Sequence, residues 1–171
     1  YNLWEERRAI FSFTVAAVWA GLRAAHHFAA MFGDHLAAHR YHQAAQEIKE
    51  ATERCLYDAD SGRFLNSVSV NPDGTLAKDL QADISLAGLF LLGLFEAADP
   101  RVAATMAVVE EKLRGSSPVG GFARYQGDRY HRVIPDETTP GNPWFIATLW
   151  MAEYYIARAQ TRKELAPALE L

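Results

Sequence analysis

Trp4, Glu5 and Glu6 stand side by side just ahead of a long apolar helical pattern. An aromatic ring beside two carboxyl groups is the combination with which a site keeps one acid protonated while its neighbour stays ionised. Asp79 and Asp83 precede a second apolar run, and Arg124, Tyr125, Asp128 and Arg129 fall in a stretch rich in glycine and charge ahead of a third. Carboxylates, aromatic rings and guanidinium donors together suit a sugar: rings cover the apolar faces of a pyranose, and charged groups take its hydroxyls. Cleaving a glycosidic bond needs two carboxyl groups. One protonates the leaving oxygen, and the other activates water or attacks the carbon.

The elements that must hold these residues follow from periodicity. Val15, Val18, Trp19 and Leu22 have the spacing of one helix face, which continues to about Phe32. After Gly33 and Asp34, the set Tyr41, Ala45, Ile48, Thr52 and Cys55 predicts an amphipathic partner ending near Tyr57. The β-favouring run Phe64 to Val70 and the Asn-Pro-Asp-Gly turn at 71 to 74 predict a small hairpin. A nearly all-apolar third helix is expected over Asp83 to Ala97, and a fourth after Asp99 and Pro100 carries the stripe Val102, Met106, Val109 and Leu113. A fifth is expected to start at Asn142 as cap with Pro143 at its first position, and a sixth, polar segment begins near Thr161. Three times an apolar helix is followed by an amphipathic one, and three times a long loop precedes the apolar member. The expected fold is therefore all-α: a ring of helical hairpins, apolar helices inside and amphipathic ones outside, with the loops gathered on one rim. Three hairpins make about half of such a ring.

Composition narrows the function classes. The chain has 171 residues, half of them hydrophobic, and a formal net charge of -4. That charge gives no basic footprint, so nucleic acid is not an expected partner. No run reaches the roughly 18 uncharged apolar residues of a spanning helix, so no membrane partner is expected either. A single cysteine, Cys55, excludes an internal disulfide and fits a reducing compartment, with the cytoplasm as the expected location.

The segment NLWEERRAIFSFTVAAVWAGL resembles the general-acid segment of family 15 of the glycoside hydrolases, the glucoamylase family. ARYQGDRYH, followed by GNPWFIATLWMAEYYI, is similar to that family's later binding loop and inner helix. The resemblance implies an (α/α)6 toroid of six inner and six outer helices that hydrolyses α-glucosidic bonds with inversion and without a cofactor or metal. Residues 1–171 would be a partial toroid catalytic domain, truncated at both ends. On this resemblance Glu5 is the general acid. Trp4 lines the pocket beside it, Glu6 binds substrate and helps tune its neighbour, Arg124 and Asp128 grip sugar hydroxyls, and Trp144 lies near the pocket. The ligand would be an α-glucoside oligosaccharide or disaccharide.

Two departures accompany the resemblance. The family commonly has Asp where this chain has Asn2, which removes a negative charge beside Glu5. The family's general base lies beyond the fifth and sixth helices, and neither Glu137 nor Glu153 matches its setting, so the chain by itself is expected to be inactive. An open half-ring should also self-associate through its apolar face. The rival readings are a trehalase on the same scaffold and a non-catalytic helical regulatory or scaffold module. His35, His39 and His42 share a helix face that could offer three imidazoles to a metal, but no acidic or Cys ligand completes the set except Asp34.

Overall fold

The computed structural model describes residues 1–115, 119–132 and 139–171. It is mainly helical with two small sheets. β1 (Ile10–Phe11) leads directly into α1 (Ser12–Met31), and a turn at Phe32 and Gly33 reverses the chain into α2 (His35–Cys55). Asp34 caps α2 by accepting from the Ala37 backbone N–H at 2.9 Å. The pair is stitched across its interface by His26, whose Nδ1 lies 2.9 Å from the Ala38 carbonyl and whose ring lies 5.2 Å from that of His42. The face of α1 is turned relative to the sequence expectation: Ser12 and Ala16 are buried, and Val18 is 51% exposed. Small residues at the centre let neighbouring segments approach closely.

β2 (Tyr57–Asp58) and β3 (Arg63–Phe64) form a ribbon, while β4 (Ser67–Val70) and β5 (Leu76–Asp79) form the hairpin expected around the Asn-Pro-Asp-Gly turn. β1 joins that hairpin, giving a three-stranded antiparallel sheet ordered β1-β4-β5, with Ile10 opposite Val68. Phe64 thus pairs with Tyr57 rather than extending the hairpin.

The third helix departs most from expectation. Only a 3₁₀ turn, Ile84–Ala87, and α3 (Gly88–Leu91) are helical; the chain then turns at Gly93, whose φ of 78° is left-handed. Residues 82–89 are buried without a break, and a fully buried segment shows no periodicity from which to read its length. Gly88 sits against α1 so closely that an added Cβ would lie 2.5 Å from Phe13 Cδ2.

α4 (Pro100–Leu113) begins as expected, with Asp99 accepting from Arg101 N at 2.8 Å and Pro100 in the first turn. It buries Val102, Met106, Val109 and Leu113. α5 spans Phe145–Arg158, with Trp144 in the cap position and no side-chain cap. Asn142 is not the cap: its Nδ2 donates to the Tyr130 and His131 carbonyls instead, tying the preceding loop. The sixth segment is a 3₁₀ turn, Arg162–Leu165, running into the single turn of α6 (Ala166–Leu169). One core runs through all three helical pairs, from Ala16 through Ile84, Leu89 and Met106 to Met151 and Tyr154. No helix among the described residues is long and apolar enough to cross a membrane.

Candidate active site

Backbone hydrogen bonds bring the three loops together. The start of the 3₁₀ turn pairs with the third loop through Ile84 N to Arg124 O at 2.8 Å and Gln126 N to Ala82 O at 3.0 Å. That loop is tied to the start of α5 by Trp144 N to Phe122 O at 2.9 Å. The first loop closes on them through Trp4, whose indole N–H lies 3.1 Å from both Asp83 carboxylate oxygens.

Asp83 is fully buried and also accepts from Ser85 N at 2.8 Å, so it both caps its turn and holds the Trp4 ring. Burial pushes its carboxyl above the usual carboxylate range, against the opposing pull of the bonds from Ser85 and Trp4. Trp150 backs Trp4 at a ring separation of 6.4 Å.

Glu5 is held in a rarely used conformation. Its φ is 61°, in the left-handed region that costs a non-glycine residue about 1–3 kcal/mol. Asn2 supports the turn. Its side-chain Oδ1 accepts from Glu6 N at 2.8 Å and Arg7 N at 3.1 Å, and its carbonyl accepts from Glu5 N at 3.0 Å. The Glu5 side chain is exposed and has no hydrogen-bond partner among the described residues.

Arg124 is the hub of the site. Its Nε and Nη2 meet the two oxygens of Asp128 at 2.7 and 2.8 Å, a fork-to-carboxylate pair, and Nη2 also reaches Glu6 Oε1 at 3.1 Å. The rings of Trp4, Tyr125, Tyr130 and Trp144 surround the guanidinium with centroids 4.8 to 5.2 Å from Cζ. Asp128 holds the guanidinium strongly protonated. The Tyr125 hydroxyl donates to Glu6 Oε2 at 2.5 Å; burial, and then this bond, raises its phenol well above the ordinary value.

The expected residues therefore meet, but with divided roles. Asp128, expected to take hydroxyls itself, is enclosed: its side chain is 0% exposed and its oxygens are occupied by Arg124 and the Tyr130 N–H. Any reach toward a ligand runs through Arg124, whose Nη1 has no partner among the described residues. Gly141 of the GNPWF run packs on Asp128 so tightly that an added Cβ would lie 2.8 Å from Asp128 Cβ. Asp79 stands apart, accepting from Arg7 at 3.3 Å, Asn66 and Ser67. Arg129 faces away, beside Lys112 and Arg132. Glu153 is exposed on α5, and Glu137 lies outside the described residues. His35 and His39 are exposed while His42 turns toward His26; no group of three potential metal ligands forms among the described residues. The turn-holding role of Asn2 and the ring of Tyr130 escaped the sequence reading; for Tyr130 the signal is its place two residues after Asp128 among other aromatics.

The profile described as Glycosyl hydrolases family 15 matches residues 1–169. The chain belongs to this family. An uncharacterized glycosyl hydrolase of Methanocaldococcus jannaschii is 30% identical over 96% of the family 15 chain and 24% of its own length. Glucoamylase 1 of Rhizopus oryzae is 26% identical over 91% of the chain and 27% of its own length. The structure of a bacterial glucoamylase complexed with acarbose superposes with a TM-score of 0.77 at 23% identity, covering 98% of this chain and 28% of that one. This family 15 chain is thus a portion of the glucoamylase (α/α)6 fold with a small β insertion, and it spans about a quarter of the length of these relatives.

Proposed function

We propose that residues 1–171 form part of a toroid catalytic domain and carry the general-acid wall of an inverting hydrolase acting on α-glucosides. The observation that carries this reading is Glu5. Its side chain is exposed, without a partner among the described residues, on a strained turn, while its neighbour Glu6 reaches a guanidinium that Asp128 clamps among four rings. A group meant to protonate a leaving oxygen must be free to face it, while the groups around it are fixed. In this reading Glu5 gives its proton to the glycosidic oxygen, Arg124 offers Nη1 to a sugar hydroxyl, and Trp4 and Trp144 cover apolar sugar faces. Glu6 and Asp128 act mainly by holding Arg124. Inversion also requires a second carboxylate about 6.5–9.5 Å from the first to activate water. The kinship with Glucoamylase 1, and the acarbose bound by the bacterial glucoamylase, support an α-glucoside as substrate.

The test is Glu5→Gln in a polypeptide that contains this chain at full family length, assayed on maltose, isomaltose, dextran and trehalose. The expected result is a fall in kcat of about 10²–10⁴-fold with little change in KM. An undiminished kcat would remove Glu5 from the mechanism, and activity confined to trehalose would replace the glucoamylase-like reading with a trehalase. Polarimetry of the first product distinguishes inversion from retention.

A further inference from the structure

A cavity of about 250 Å³ lies between α1 and α2, away from the carboxylate rim. α1 contributes Trp19 and Arg23 to its wall, and α2 contributes His42, Ala45, Gln46 and Lys49, with Gly93 closing one side. The spacings i, i+4 on one helix and i, i+3, i+4, i+7 on the other put each set on a single face. Trp19 and Arg23 stand 7 and 11 residues beyond Ser12, the first residue of α1, which at 1.5 Å per residue is roughly 10–17 Å from the sugar-facing rim.

The electrostatics of this cavity are one-sided. Arg23 lies over the Trp19 ring at 5.8 Å and Lys49 over the Phe95 ring at 5.4 Å, yet neither is paired with a carboxylate among the described residues. The wall itself contains no acidic side chain. His42 Nδ1 is buried beside this wall without a hydrogen-bond partner among the described residues, an arrangement that costs free energy. Two uncompensated cations in a concave wall focus a positive potential. A guanidinium, an ammonium and an amide are the donors that suit an oxyanion.

We propose that this cavity binds a small oxyanion, held by Arg23 and Lys49 with Gln46 supplying a further hydrogen bond. Its volume falls below the roughly 300 Å³ at which pockets for drug-sized ligands begin, so the ligand is the size of a phosphate or a small carboxylate. Bound there, it joins the α1–α2 pair to the turn at Gly93 and favours the folded state by mass action. Sugar hydrolysis at Glu5 plays no part in this inference, and each can fail without the other.

The experiment is calorimetric titration of a polypeptide that contains this chain at full family length with inorganic phosphate and, separately, with glucuronate, alongside thermal unfolding in each. Binding of either anion with a dissociation constant of roughly 1 mM, and a raised Tm, is the expected result; which of the two binds identifies the oxyanion as phosphate or carboxylate. Lys49→Met should weaken binding about tenfold or more. Gln46 is exposed, so Gln46→Glu keeps the fold, verified by unchanged far-ultraviolet circular dichroism, while placing a repelling carboxylate on the wall, and it should abolish binding. Failure of both anions to bind, or binding that Gln46→Glu leaves unchanged, overturns the proposal.

Discussion

Arg124 is worth more to this molecule as a fixed group than as a free charge. It is 5% exposed on its side chain against 0% for Asp128, and four rings exclude water around it. Removing one partner of such a pair leaves a buried charge with no compensation. Arg124→Met is therefore expected to destabilise the chain by about 3–5 kcal/mol, read from the shift in the urea midpoint; a shift near zero would mean that the pair is solvated rather than buried. Arg124→Lys should restore only part of the loss, because an ammonium cannot reproduce the fork that meets both Asp128 oxygens. Residue types alone brought Trp4, Glu5, Glu6, Arg124 and Asp128 into one hypothesis. That Asp128 sits beneath Arg124 rather than facing a ligand depends on the close approach of Gly141, a contact between segments that no local spacing reveals.

Among the elements, amphipathic helices were the most legible. α2 and α4 alternate charge with apolar stripes at helical spacing, and their caps, Asp34 and Asp99, are where the sequence puts them. The short α3 was not legible, because the buried run from Ile84 carries no polar face to mark where helix gives way to turn. Its position is set instead by Gly88 against Phe13, whose ring also stacks on Trp150 at 6.3 Å. Gly88→Ala should cost about 1–3 kcal/mol by overpacking, measured by chemical denaturation; an unchanged midpoint would show that Phe13 is free to move aside. The strands offer a pH signature. Lys78 on β5 hydrogen-bonds Asp58 on β2 at 2.6 Å and, with Ser61, holds its carboxyl down at about 2, against an ordinary value of 3.8. A depressed folded-state value adds stability that is fully present above the unfolded value and is lost as pH falls toward 2. The urea midpoint should therefore drop between about pH 4 and pH 2, and less steeply in Asp58→Asn. Parallel slopes for the two proteins would exclude this pair as a source of acid sensitivity.

For the whole molecule, the exposed apolar side chains show how far three helical pairs go toward a closed ring. Phe145 is 92% exposed at the start of α5, and Phe28, Met31, Phe32 and Leu36 crowd the α1–α2 turn. Such faces associate in water, so the isolated chain is expected to sediment above its monomer mass of 19.1 kDa and to lack turnover on maltose. A monodisperse monomer, or turnover that Glu5→Gln abolishes in the isolated chain, would contradict the divided-site reading. By itself the sequence determined the amphipathic helices, the hairpin, the loops that carry the chemistry and the family resemblance, because periodicity, turn residues and motifs are local properties of the chain. Only the tertiary structure decided that Asp83 orients Trp4 from 79 positions away, that Asp128 is an anchor, and that Arg23 and Lys49 share an unpaired cavity. Burial and charge pairing depend on what the folded chain brings together, and residues distant in sequence leave no spacing from which to foresee it.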